Sequence, residues 1–312
     1  MAQPGLNTKF ESAAVFTDQN GFRAEDENVV TDFNKVEMLT LGPSSAFGWG
    51  VGAEATYSAL VAKSLNLNYL NASQIGFSTT QGLLLWNSFL KDRLPNLKVV
   101  LIAYGINDLD NFRFYDLSFV NDLTYFAEQP KAASLINSNL LTTIDLFKNE
   151  FSLKISCSSL SHIEQRLSMD QSAQQTQALI QSLKTKNIKI IFIGTPYLRM
   201  KGKGTPYLNS GGILGTAYLY EQAEVAAAAG NCGEALEFVK RAKALEPWRV
   251  EDDVRKLAEI QKAVCKDEGI SYVDIFTEFD QLAIQDEYFV DPVHPSVKGH
   301  DLIAKRVLEK LK

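Results

Sequence analysis

The sequence predicts an α/β fold: a three-layer α/β/α sandwich around a central, mainly parallel five-stranded sheet, with helical inserts. Two observations carry this. "LKVVLIAYG" (97–105) is a continuous apolar run, as expected of a strand covered on both faces, and "NIKIIFIG" (187–194) repeats it. These runs alternate with segments of helical spacing, the rhythm of a parallel sheet flanked by helices.

In chain order, "AAVFTDQNGFRAEDE" (13–27) joins a β-prone run to Asn20-Gly21, a dipeptide that tolerates positive φ and so favours a turn. Residues 1–34 are therefore expected to form an N-terminal strand or hairpin packed on the core, and residues 35–312 the main domain. "KVEMLTLG" (35–42) is a short buried strand that stops at Gly42. "EATYSALVAKSL" (54–65) has helical spacing, and "NYLNAS" (68–73) is a short strand. "TQGLLLWNSFLKDRL" (80–94) is a helix closed by Pro95, and "ISYVDIF" (270–276) is the fifth strand.

Two inserts, at about 109–165 and 200–269, interrupt the rhythm. The second opens with a Gly/Lys-rich stretch (201–212), and "GTPYL" occurs both at 194–198 and at 204–208. Its "KGKGT" lacks the G-x-x-x-x-G-K-[ST] spacing of a phosphate cradle and reads as a loop. "YLYEQAEVAAAAGNCGEALEFVKRAKALEPW" (218–248) reads as two helices around Gly230-Asn231, a single tetratricopeptide-like hairpin ending at "ALEP". The expectation is a hairpin packed on the core. A protein partner docking at 213–269 is the alternative.

The chain has 312 residues, 46% of them hydrophobic and 22% charged, so a sizeable core can form. A net charge of −6 argues against nucleic acid as partner. Three scattered cysteines (Cys157, Cys232, Cys265) form no C-x-x-C, and their odd number excludes a complete disulfide framework. With histidines only at 162, 294 and 300, no zinc site is expected, and no cofactor. No apolar stretch is long enough to span a membrane. The opening "MAQPGLNTKF" lacks a secretory apolar core. That fits a cytoplasmic chain or one whose leader has been removed, and the extracytoplasmic reading is the one carried forward.

Four short segments carry chemistry. "LGPSSAFGWGV" (41–51) follows the first core strand and offers Ser44 behind Gly42-Pro43. "NASQIGFSTTQGL" (71–83) offers Gly76, whose N–H can approach a ligand closely because it has no Cβ. "AYGINDLDNF" (103–112) offers the amide of Asn107. "YFVDPVHPSVKGHDLIAKRVL" (288–308) places Asp291 three residues before His294 on a loop stiffened by Pro292 and Pro295. Taken singly, each has a bland reading: a turn, a strand end, a self-bonding Asn-Asp, a helix start. Beyond the carboxyl ends of parallel strands all four can meet. Together they would supply nucleophile, oxyanion donors, base and orienter.

In this order the segments resemble the four blocks of the SGNH, or GDSL-type, hydrolases. The tail "HPSVKGHDLIA" is similar to the family's usual continuation, and the upstream "TDQNGFRAEDE" resembles a lead-in of some bacterial members. The resemblance implies a flavodoxin-like core and metal-free hydrolysis of esters, commonly acyl groups on sugars and lipids. It makes Ser44 the nucleophile, His294 its base and Asp291 the orienter of His294. It makes the Ser44 and Gly76 N–H groups and the Asn107 side chain the oxyanion hole. Pro43 stands where the family's first block normally has aspartate. Proline removes one N–H and fixes φ but leaves the Ser44 N–H in place, so the elbow is expected to form. Ser45 reads as a helix-start residue.

Phe47, Trp49, Phe77, Asp108 and Phe112 are expected to contact substrate, with Phe114 and Tyr115 crowding the same mouth. A small-molecule or glycan ester, most simply a carbohydrate O-acetyl ester, is the expected substrate. An acyltransferase on the same scaffold and a non-catalytic glycan-binding or assembly protein are the alternatives.

Overall fold

The computed structural model describes residues 5, 7–10, 13–113, 118–128, 157–200 and 216–312. Among these residues, eight strands form one mixed sheet: β1 (Asn7–Phe10), β2 (Ala13–Thr17), β3 (Arg23–Ala24), β4 (Met38–Leu41), β5 (Tyr69–Asn71), β6 (Val99–Ile102), β7 (Lys189–Ile193) and β8 (Ser271–Val273). Their order is β1-β2-β3-β5-β4-β6-β7-β8. The last five in that order pair in parallel, while β1, β2 and β3 join antiparallel at one edge.

The sheet is therefore eight-stranded, not the five-stranded one expected. The N-terminal hairpin extends the sheet itself through the single pairing of Arg23 with Asn71. A two-residue strand is too short to leave a period in the sequence. Its turn is held by the Asp18 carboxylate, which accepts from the Asn20 and Phe22 N–H groups.

Because side chains alternate across a strand, each core strand feeds two layers. Met38, Val99, Leu101 and Ile191 face one apolar layer, built with α2 (Tyr57–Leu65) and the C-terminal helix Val297–Leu311. Leu39, Leu41, Val100, Ile102 and Phe192 face the other, built with α3 (Thr79–Leu85) and the helix Met169–Lys184. This is the three-layer arrangement the apolar runs imply. In chain order the remaining α-helices among the described residues are α1 (Ser44–Phe47), α4 (Asp122–Glu128), α6 (Thr216–Ala228), α7 (Cys232–Asp267) and α8 (Ile275–Asp280). Met169–Lys184 is α5 and Val297–Leu311 is α9. Among the described residues, no helix is long and apolar enough to cross a membrane.

The hairpin of the second insert departs from expectation. α7 does not end at "ALEP" but runs through position 247 to Asp267. Its first half closes a satellite core with α6 and the first insert, through Phe112, Phe119, Leu160, Leu219, Ala235 and Val239. Its second half places Val250, Val254 and Leu257 in the main core. One helix thus serves as both insert and crossover to β8. The large apolar residues left exposed on the described part of this hairpin are Tyr218 and Val225. The stretch 201–212, with the second "GTPYL", lies outside the described residues.

Cys157 and Cys232 form a disulfide across 75 residues, joining the two inserts, while Cys265 stays a free, buried thiol that burial pushes up to about 12. Residues so far apart in sequence give no local signal of pairing. Closing a loop of that length removes denatured-state entropy worth ~4 kcal/mol. Cys157→Ser should therefore lower Tm by roughly 5–10 °C in a thermal scan, and reductant should do the same to the wild type but not to the variant. An unchanged Tm would show that the bond contributes nothing.

Candidate active site

The sheet order brings β5, β4 and β6 side by side, so the segments that follow them share one edge. Gln74 N–H donates to the Gly42 carbonyl at 2.9 Å, and Ala103 N–H to the Leu41 carbonyl at 2.9 Å, which fastens the three loops together. Gly42 is demanded by close approach: a Cβ there would lie 2.5 Å from that of Ala46 and 3.3 Å from that of Ala103.

Pro43 precedes the single-turn helix α1 with φ −86°, and its carbonyl accepts from the Ala46 and Phe47 N–H groups. Ser44 is the first residue of that turn, so its N–H has no intrahelical acceptor, and among the described residues no backbone carbonyl takes it. The elbow thus forms without the usual aspartate. Ser45 is buried.

The Ser44 hydroxyl lies 2.7 Å from His294 Nε2, and His294 Nδ1 lies 2.6 Å from Asp291 Oδ2. The other carboxylate oxygen of Asp291 accepts from the Val293 and His294 N–H groups, both at 2.9 Å. An ionised Asp291 accepts at Nδ1, which leaves Nε2 free to accept from Ser44. Burial opposes ionisation of Asp291, but the charge of His294 and these three hydrogen bonds hold its carboxyl below the usual range. The loop is fixed from two sides. Val290 N–H donates to the His294 carbonyl, and Leu198 N–H, from the segment after β7, donates to the Pro292 carbonyl. The Trp49 ring packs 5.8 Å from the imidazole and limits its rotation.

Gly76 has φ +76°, a left-handed conformation that favours glycine, and among the described residues no backbone carbonyl takes its N–H. Asn107 donates one amide hydrogen to the Phe77 carbonyl at 3.1 Å, which leaves the second available. The segment 76–81 is clamped by a buried charge cluster that sequence reasoning missed. Arg166 donates to the Gly76 carbonyl at 2.6 Å and to the Gln81 amide oxygen at 2.5 Å. Asp122 pairs with both Arg166 and Arg113 and accepts from the Ser78 hydroxyl. Burial alone would raise the Asp122 carboxyl, but the two guanidiniums reverse this and lower it. Arg166 closes the first insert, so only the folded chain brings it to the second block.

Most of the expected substrate contacts are corrected. Phe47, Phe77 and Phe112 are wholly buried and Trp49 nearly so, so none offers an open face to a ligand. Aromatic rings at strand ends gain more by packing beneath the loops than by lining a wet mouth. Asp108 is also wholly buried. It accepts from the Thr79 N–H and hydroxyl and from the Ser172 hydroxyl, which pins α3 and α5 to the third loop. Burial raises its carboxyl pKa despite these bonds. Phe114 and Tyr115 lie outside the described residues. Among the described residues, no group of three His, Cys, Asp or Glu side chains could hold a metal ion.

Comparison with known proteins identifies a family. A family model described as GDSL-like lipase/acylhydrolase matches residues 40–302, a span that contains Ser44, Gly76, Asn107, Asp291 and His294. No curated protein matches the chain. Among solved structures, the chain is similar to TesA at 14% identity (TM-score 0.45; 88% of this chain and 98% of that one covered). A lipolytic G-D-S-L family protein from Veillonella parvula matches at 15% identity (TM-score 0.48; 88% and 97% covered). The acetylxylan esterase Axe2 of Geobacillus stearothermophilus matches at 14% (TM-score 0.47; 90% and 96% covered).

Proposed function

We propose, for a chain that belongs to the GDSL-like lipase/acylhydrolase family of carboxylic ester hydrolases, that it is a serine esterase cleaving a short O-acyl group, in the first place acetyl, from a carbohydrate. The observation that carries this reading is the unbroken Asp291–His294–Ser44 chain of hydrogen bonds. In the reaction, Ser44 Oγ attacks the ester carbonyl carbon as its proton passes to His294 Nε2. Asp291 holds the Nδ1 proton and stabilises the imidazolium. The oxyanion accepts from the Ser44 N–H, the Gly76 N–H and the free amide hydrogen of Asn107. Such donors are typically worth about 3–4 kcal/mol each to the transition state. The intermediate collapses, the C–O bond to the sugar breaks, and the departing oxygen takes the proton from His294. Water, deprotonated by the same imidazole, then attacks the acyl-Ser44 ester and releases the carboxylic acid.

The burial of Phe47, Phe77 and Phe112 favours a short acyl group, because these rings are not available to line a long acyl groove. The disulfide favours an oxidising, extracytoplasmic setting. The test is hydrolysis of p-nitrophenyl acetate, butyrate and octanoate by wild type and Ser44→Ala. The expected result is turnover that falls with chain length and disappears in the variant. An active Ser44→Ala protein would overturn the assignment of the nucleophile, and a preference for octanoate would overturn the short acyl group.

A further inference from the structure

Away from the triad, the two inserts meet the third catalytic loop around a cavity of about 340 Å³. That is the size of a small-ligand site. Its wall carries two amides (Asn111 and Gln165), two carboxylates (Glu221 and Glu224), the hydroxyl residue Thr216 and the ring of Tyr220. Thr216 is only 2% exposed, yet among the described residues its hydroxyl meets no hydrogen-bond partner. An unpartnered buried hydroxyl is costly, and a ligand hydroxyl in the cavity would complete it. The side chains of Asn111, Gln165 and Glu221 likewise make no hydrogen bond or ion pair among the described residues. Glu224 is spoken for on one oxygen by the Ile163 N–H, and the Tyr220 hydroxyl is anchored on Glu246, which fixes its ring.

The chemistry of this wall is selective. Amides both donate and accept, carboxylates accept from hydroxyls, and a fixed aromatic ring offers an apolar face. This mixture matches a polyhydroxylated ring. The named wall residues include two acids and no base, so a uronate or sulfated sugar would meet repulsion.

The place is also informative. Asn111 follows Asn107 by four residues, so their Cα atoms are at most ~14 Å apart. Gln165 precedes Arg166, whose guanidinium holds the Gly76 carbonyl. Two of its wall residues are thus close along the chain to groups that form or hold the two oxyanion segments. It is braced by the Cys157–Cys232 bond and by the packing of Phe112, Phe119 and Tyr220.

We propose that this cavity is a subsite for an uncharged sugar ring of a glycan substrate, set apart from the ester that Ser44 attacks. The proposal rests on the esterase reading for its place in a reaction, but not for its binding. The test is titration of the full chain with neutral tetrasaccharides (xylo-, cello-, manno- and chitotetraose) and with tetragalacturonate, followed by NMR or calorimetry. At least one neutral sugar should bind, and tetragalacturonate should bind at least tenfold more weakly. Asn111→Ala and Glu221→Ala should each weaken the neutral sugar about tenfold. Absence of binding by every neutral sugar, equal binding of the uronate, or affinity unchanged in both variants would overturn the subsite. Ester kinetics separate the two readings. In both variants, kcat/KM for an acetylated neutral tetrasaccharide should fall about tenfold relative to p-nitrophenyl acetate, and an equal fall on both esters would overturn the proposal. If wild type binds the sugar yet hydrolyses no ester, the esterase reading fails and the cavity stands.

Discussion

His294→Ala should lower kcat on p-nitrophenyl acetate by about 10⁶-fold, and Asp291→Asn by about 10⁴-fold, if the two act as base and orienter of Ser44. The difference follows from what each group touches. His294 Nε2 is 2.7 Å from the Ser44 hydroxyl, so its removal would leave the proposed nucleophile without a base. Asp291 bonds the far nitrogen and two backbone N–H groups, not the hydroxyl. Its side chain is 38% exposed, so water can replace part of its stabilisation of the imidazolium. An asparagine in its place can still accept from the two N–H groups and preserve the loop, but it carries no charge to balance His294. Ser44→Ala combined with His294→Ala should be no slower than either alone, because the two act as one unit. Single-turnover and steady-state rates for the four proteins check this. Equal losses at His294 and Asp291 would give the carboxylate a larger role than orientation, and additive losses in the double variant would break the unit.

What the sequence makes legible is local. The four blocks can be read because each proposed catalytic group lies within a few residues of a strand end or a helix start, and the fold merely lines those ends up along one edge. Ser44 beside Gly42, Asn107 after the Val99–Ile102 strand and Asp291 three residues before His294 are all of this kind. What cannot be read is set by distance along the chain. Phe47, Phe77 and Phe112 occupy the right loops, but whether a ring faces solvent or the layer beneath depends on neighbours supplied from elsewhere. Asp108 belongs to the same motif as Asn107, yet it turns inward to meet Thr79 and Ser172. Arg166, which clamps the Gly76 carbonyl, comes from 90 positions further along the chain. The two-residue strand that grafts the hairpin onto the sheet, and the continuation of α7 past "ALEP", were likewise decided by packing rather than by local preference.

The same packing makes His300 the group through which acid should loosen the molecule. His300 lies on α9, wholly buried against α2. Its Nδ1 accepts from the Tyr57 N–H at 3.2 Å, one of the orphan donors of a helix start, and its ring lies 5.5 Å from that of Tyr57. Among the described residues, the Nε2 side has no hydrogen-bond partner to share a charge. Burial, helped by the nearby charge of His294, pushes the imidazole down to about 3 from an ordinary value of 6.5. In the unfolded chain the ring takes up its proton near 6.5, whereas in the folded chain it stays neutral until about pH 3. Between those values the unfolded state binds more protons, so stability falls as pH falls through the window and is fully present above it. At pH 4.5 the loss from this group is roughly 3 kcal/mol relative to pH 7. His300→Gln retains an acceptor for Tyr57 and cannot titrate. Urea unfolding at pH 7 and 4.5 should therefore show a stability drop smaller by about that amount in the variant than in the wild type, with the carboxylates common to both cancelling. Identical drops in the two proteins would mean that His300 is protonated without cost in the fold, and that the α2–α9 contact is not the site where acid acts.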